Sequence, residues 1–120
     1  MLYSLLLWAA GWQVNAPAPC QARLELLQRD GLLTVTGHCR NLLPTACRYR
    51  YELAVRRAGK GGHSQNTQRG EFSADSAQEV ALSKISVNVS AQDAYNIHLR
   101  VFDFAGHVVA QDSALQNSTR

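Results

Sequence analysis

The residues of this chain that could carry chemistry are four histidines, three cysteines, a glycine-rich turn and a run of alternating arginine and tyrosine. His38, His63, His98 and His107 stand in no His-Glu-x-x-His or related ligand spacing, so no metal site is expected. No Gly-x-Ser-x-Gly supports a serine nucleophile. Gly59-Lys60-Gly61-Gly62 lacks the Lys-Ser/Thr pair and the following helix that a phosphate loop requires. Cys20, Cys39 and Cys47 match no zinc spacing and form no Cys-x-x-Cys. The chain is therefore expected to have no catalytic residues, no metal and no cofactor.

The remaining candidate is charge. Seven of the twelve Lys and Arg residues (Arg40, Arg48, Arg50, Arg56, Arg57, Lys60 and Arg69) lie between positions 40 and 69, where Glu52 is the only acid. From Glu71 to Asp112 the acids outnumber the bases six to two. A surface polarised in this way steers oppositely charged partners. Arg48-Tyr49-Arg50-Tyr51 pairs cations with aromatic rings, as a single-strand nucleic-acid groove does. On a β-strand, however, successive side chains point to opposite faces. The tyrosines then enter the core, away from the arginines, and nucleic acid is not the expected partner.

The elements that position these residues are strands. Apolar residues recur with period two almost throughout. Cys20, Ala22, Leu24 and Leu26 share one phase, and Asp30-Gly31 is a hairpin turn leading to Leu33, Val35 and Cys39. Asn41 to Thr45 is a connection. Cys47, Tyr49, Tyr51, Leu53 and Val55 form the clearest inward set, with Arg48, Arg50, Glu52 and Arg56 facing water. His63 to Ser73 is polar and reads as an edge strand or a partly ordered loop. A phase slip at Ser83-Lys84, between Val80/Leu82 and Ile85/Val87/Val89, predicts a bulge. Tyr95, Ile97, Leu99 and Val101 form the next strand, and Tyr95 after a polar corner resembles the tyrosine corner of immunoglobulin-like domains. Gly106 and Val108 or Val109 begin a last strand. His38 and His98 fall outward and His63 and His107 in turns, so all four are expected in solvent. The total is an all-β, Ig-like antiparallel sandwich of about seven strands over residues 20–115.

Leu2 to Ala10 is an apolar run too short to span a bilayer, and Ala9-Ala10-Gly11 offers small residues for cleavage. Residues 1–11 are expected to be a signal peptide, after whose removal no membrane insertion follows. In an exported domain three cysteines imply one disulfide and one thiol. The strand phases turn all three inward, so Cys39–Cys47 and Cys20–Cys39 are both open, with the shorter connection favouring the former.

One stretch resembles a known family. Leu82-Ser83-Lys84-Ile85-Ser86-Val87-Asn88-Val89-Ser90, followed by Asp93, is similar to the signature of CsgC/CsgH-type curli assembly proteins. Cys47-Arg48, the alternating strand, the glycine-rich turn and polar Ser64-Gln65-Asn66-Thr67-Gln68 keep the family's order. Some members carry Cys-x-Cys where this chain has Thr45-Ala46-Cys47, which fits the CsgH-like branch and argues against a dithiol role. The resemblance implies a periplasmic, monomeric, chaperone-like inhibitor that keeps an unfolded acidic curli subunit from premature amyloid polymerisation. On this reading Arg48, Arg50, Arg56, Arg57 and Lys60, with Arg69, form the client-binding face. The alternatives are an adhesion or scaffold module that binds a folded partner through an apolar patch, and a domain acting through its free thiol.

Overall fold

The computed structural model describes residues 18–117. The expected signal peptide, residues 1–11, lies outside them. Seven strands follow in order: β1 (Cys20–Arg29), β2 (Leu32–Asn41), β3 (Cys47–Gly59), β4 (Gly62–Ala74), β5 (Glu79–Asn88), β6 (Ala94–Phe102) and β7 (Val108–Gln116). All pair antiparallel, in a three-stranded sheet β1-β2-β5 and a four-stranded sheet β4-β3-β6-β7. The polar segment after Lys60 is thus a full edge strand of 13 residues.

Local chemistry explains the turns. Asp30 and Gly31 both take positive φ, 54° and 78°, the requirement of a two-residue hairpin whose twist matches its strands. Period-two alternation sets which side chains meet between the sheets. Leu33, Val35, Ile85 and Val87 from the first sheet pack on Leu53, Val55, Ile97 and Leu99 from the second, all buried. A second cluster joins Cys20, Cys39, Tyr49 and Val101, with Cys47 packed against it. Gly37 leaves room for Leu99, whose side chain would lie 3.3 Å from a Cβ there.

Three details depart from the expectations. The bulge falls at Leu82, because Gly37 pairs with Ser83 while His38 pairs with Ala81. It is held from the other sheet: the Tyr51 hydroxyl donates to the Leu82 carbonyl at 3.0 Å and lies 3.0 Å from Ser83 Oγ. The corner before β6 is pinned by Asp93, since the Tyr95 hydroxyl has no hydrogen bond among the described residues. Asp93 accepts from the Ser90 amide and hydroxyl, both at 2.9 Å, and from Arg57 at 3.2 Å. Finally, His38 is half-buried, with Nε2 2.8 Å from Glu25 and Nδ1 3.8 Å from Glu79. Strand pairing brings those carboxylates to it from both neighbouring strands.

Candidate functional site

The outward face of the four-stranded sheet holds the basic residues. On β3 the even positions Arg48, Arg50 and Arg56 are exposed, while Tyr49 is buried and Tyr51 reaches across to the bulge. Gly70 lies opposite Tyr51, and a Cβ there would come within 2.9 Å of the ring. The absence of a side chain at Gly70 therefore gives Tyr51 its place.

Register brings further charges alongside. Arg50 pairs with Glu71 on β4 and Phe102 on β6; Glu52 pairs with Arg69 and Arg100; Arg56 pairs with Gln65 and Asn96. One sheet face thus presents five arginines, 48, 50, 56, 69 and 100, against two glutamates. Arg100 was invisible as a member of this set from sequence, because it lies in the segment where acids predominate. Its outward phase on the Ile97/Leu99/Val101 strand was the available signal, and only the pairing of β3 with β6 makes use of it.

The face is interleaved rather than uniformly cationic. Glu71 meets Arg48 at 2.9 Å and Arg50 at 4.0 Å, and Glu52 meets Arg69 at 2.8 Å and Arg100 at 3.9 Å. The Arg48 and Arg50 guanidinium groups also lie 5.5 and 4.8 Å from the ring centre of Phe104, which is 44% exposed. These contacts hold two long side chains at one end of the face. Arg56, at the other end, enters no ion pair among the described residues.

The structure does not bring all the expected residues together. Arg57 shares the inward phase of Leu53 and Val55, so it turns away from the face and binds buried Asp93. Asp93 is held below the usual carboxylate range, first by the Ser90 amide, then by the Ser90 hydroxyl and Arg57. Gly59 completes that corner, since a Cβ there would fall onto the Asp93 carboxylate. Lys60 sits in the turn at the tip of the β3–β4 hairpin. The cysteines are all thiols. Cys20 and Cys39 lie in one buried cluster; the neighbouring Cys20 and burial push the Cys39 thiol far above an ordinary one, while the neighbouring Cys39 pulls Cys20 down against its burial. Cys47 packs against the same cluster, so both pairings expected from sequence, Cys39–Cys47 and Cys20–Cys39, join members of one cluster, and neither disulfide is formed in this structure. Among the described residues, no group of three His, Cys, Asp or Glu is placed to hold a metal ion.

A family model described as thin aggregative fimbriae synthesis protein, Tafi-CsgC, matches residues 14–113. Among solved structures, the chain is similar to the curli protein CsgC of E. coli, at 26% identity and a TM-score of 0.65, covering 78% of this chain and 96% of that one. It is similar to CsgH of R. palustris at 25% identity and 0.60, covering 77% and 89%. A β-glucuronidase of Bacteroides uniformis shares the fold alone, at 9% identity and 0.58 over 83% of this chain and 14% of the enzyme. No curated protein sequence matches the chain.

Proposed function

The chain belongs to the Tafi-CsgC family of thin aggregative fimbriae synthesis proteins, a curli assembly family, and from that premise we propose that it is a periplasmic inhibitor of curli amyloid polymerisation. Its client is an unfolded, acidic, polar subunit on its way out of the cell. The single observation that carries this reading is the clustering of five arginines with two glutamates on one sheet face. An extended chain laid over such a face meets several cations at once. Each exposed contact contributes about 0.2–1 kcal/mol, so the hold is the sum of many weak ones and is readily released. Long-range attraction speeds encounter without requiring tight binding, which suits an inhibitor acting below the concentration of its client. The working protein is a monomer that has lost residues 1–11.

The active set is Arg48, Arg50, Arg56, Arg69 and Arg100, with Lys60 at the hairpin tip. Arg57 is left out because its charge is spent on Asp93. The test is the lag before fibre formation by a purified acidic curli-type subunit, followed by thioflavin fluorescence. Replacing Arg48, Arg50 and Arg56 by Glu abolishes the delay, while circular dichroism shows a folded sandwich. A triple variant that is folded and still delays fibres as well as the parent refutes the assignment. Raising the salt from about 0.05 to about 0.3 M weakens inhibition by the parent, because exposed charges are screened beyond about 10 Å at 0.1 M.

A further inference from the structure

The outward face changes character at the end away from Phe104. There a groove of about 520 Å³ crosses the sheet beside the hairpin tip. Its floor is the facing pair Ala58 and Ala94, directly opposite in the register of β3 and β6. Small side chains at both positions leave the sheet surface open where the next row carries Arg56 between Gln65 and Asn96. Leu115, paired with Asn96, stands 68% exposed on one wall, and His63, paired with Ala58, stands on the other. Among the described residues, no acidic side chain lines the groove. Arg56 is thus an uncompensated cation beside an apolar floor, whereas Arg48, Arg50, Arg69 and Arg100 each contact a glutamate.

We propose that this groove is the anchoring subsite of the basic face, and that it takes an aromatic side chain flanked by a carboxylate in an extended polypeptide. The inference rests on the client-binding reading above and adds to it which part of the client is seized. A flat ring covers the two alanine methyls and the Leu115 side chain, removing apolar surface from water. The guanidinium of Arg56 stacks on the ring edge or pairs with the neighbouring carboxylate; its planar, delocalised charge suits both. The amides of Gln65 and Asn96 lie beside it to meet the backbone of the bound segment. Compact aromatic anchors surrounded by weaker polar contacts are the usual way a shallow surface gains selectivity. The remaining arginines then add attraction along the chain without choosing its register.

The experiment uses three unstructured peptides, acetylated and amidated, in a Gly/Ser background: one with Tyr flanked by Asp, one with that Tyr changed to Ser, one with each Asp changed to Asn. Binding to the folded protein is followed by amide chemical shifts in a labelled sample. The first peptide shifts Arg56, Ala58, Ala94 and Leu115, and each control binds roughly tenfold more weakly. Ala94→Leu fills the floor and Leu115→Ser removes the wall; both weaken the first peptide to the level of the Ser control. Leu115 is exposed, so its substitution leaves the melting temperature unchanged and keeps the test valid if Ala94→Leu is poorly folded. If the peptide instead shifts Arg48, Arg50 and Phe104, and both variants bind as the parent does, the subsite is overturned and the basic-face reading survives. If no peptide shifts any residue of the face, both fall. If sedimentation shows a dimer that Leu115→Ser dissociates, the groove belongs to a second copy of this chain and the proposal is overturned.

Discussion

If the arginine face holds an acidic chain, its own glutamates compete with that chain, and removing them strengthens inhibition. Glu71 and Glu52 each contact two guanidinium groups, the closer pairs at 2.9 and 2.8 Å and the longer at 4.0 and 3.9 Å. The carboxylates are 47% and 23% exposed and the arginines 45% to 72%, so these are pairs in a high dielectric. A close exposed pair contributes about 0.2–1 kcal/mol, which the client must displace before it can use either arginine. The double substitution Glu52→Gln and Glu71→Gln leaves five arginines with no acid on the face, raising its formal charge from +3 to +5. Counting only the two close pairs, binding gains about 0.4–2 kcal/mol, or roughly 2- to 30-fold in affinity. The same loss lowers the stability of the free protein by a comparable amount, so the melting temperature falls by some degrees while the fold persists. The assay is the concentration of inhibitor that doubles the fibre lag time, measured at about 0.05 and about 0.3 M salt. It falls at low salt, and the gain shrinks at high salt as screening shortens the reach of the freed charges. A folded double variant whose inhibitory concentration is unchanged or higher at low salt would falsify the electrostatic account.

Three further outcomes follow from the fold. Tyr51→Phe removes a hydroxyl that ties β3 to the β5 bulge through Leu82 and Ser83; the expected loss is about 1–2 kcal/mol, read as a fall of roughly 5–10 °C in melting temperature, and an unchanged melt refutes the tie. Asp93 titrates below its ordinary value of 3.8 because Ser90 and Arg57 favour its charged form; a carboxyl depressed in this way adds stability above the unfolded value that is lost as pH falls through the folded one. Denaturation midpoints of the parent therefore drop steeply below about pH 4, and Asp93→Asn flattens that slope; equal slopes count against the corner. Native alkylation modifies half-buried Cys47 before buried Cys20 and Cys39; a peptide map in which Cys20 or Cys39 is labelled first contradicts their burial.

The alternation of residues 47–56 was enough to send Arg48, Arg50 and Arg56 to water and Tyr49 and Tyr51 inward, because pleating allows no other arrangement once Leu53 and Val55 are buried. Asp30-Gly31 fixed its turn by the same local logic, through a backbone region open to few residues. The same alternation already placed Arg57 with Leu53 and Val55, and a count of charges along the chain hid that. Period two names a face but not its neighbours. Which distant strand lies alongside, and in what register, is decided by how two apolar faces interlock. That packing brought Glu71 and Arg100 to the arginines of β3, put Phe104 beneath Arg48 and Arg50, and gathered Cys20, Cys39 and Cys47 around one cluster. It also left Arg56 beside the open floor of Ala58 and Ala94. The charges of the face were legible residue by residue, whereas their compensation, which sets how strongly the face attracts an acidic chain, exists only between strands far apart in sequence.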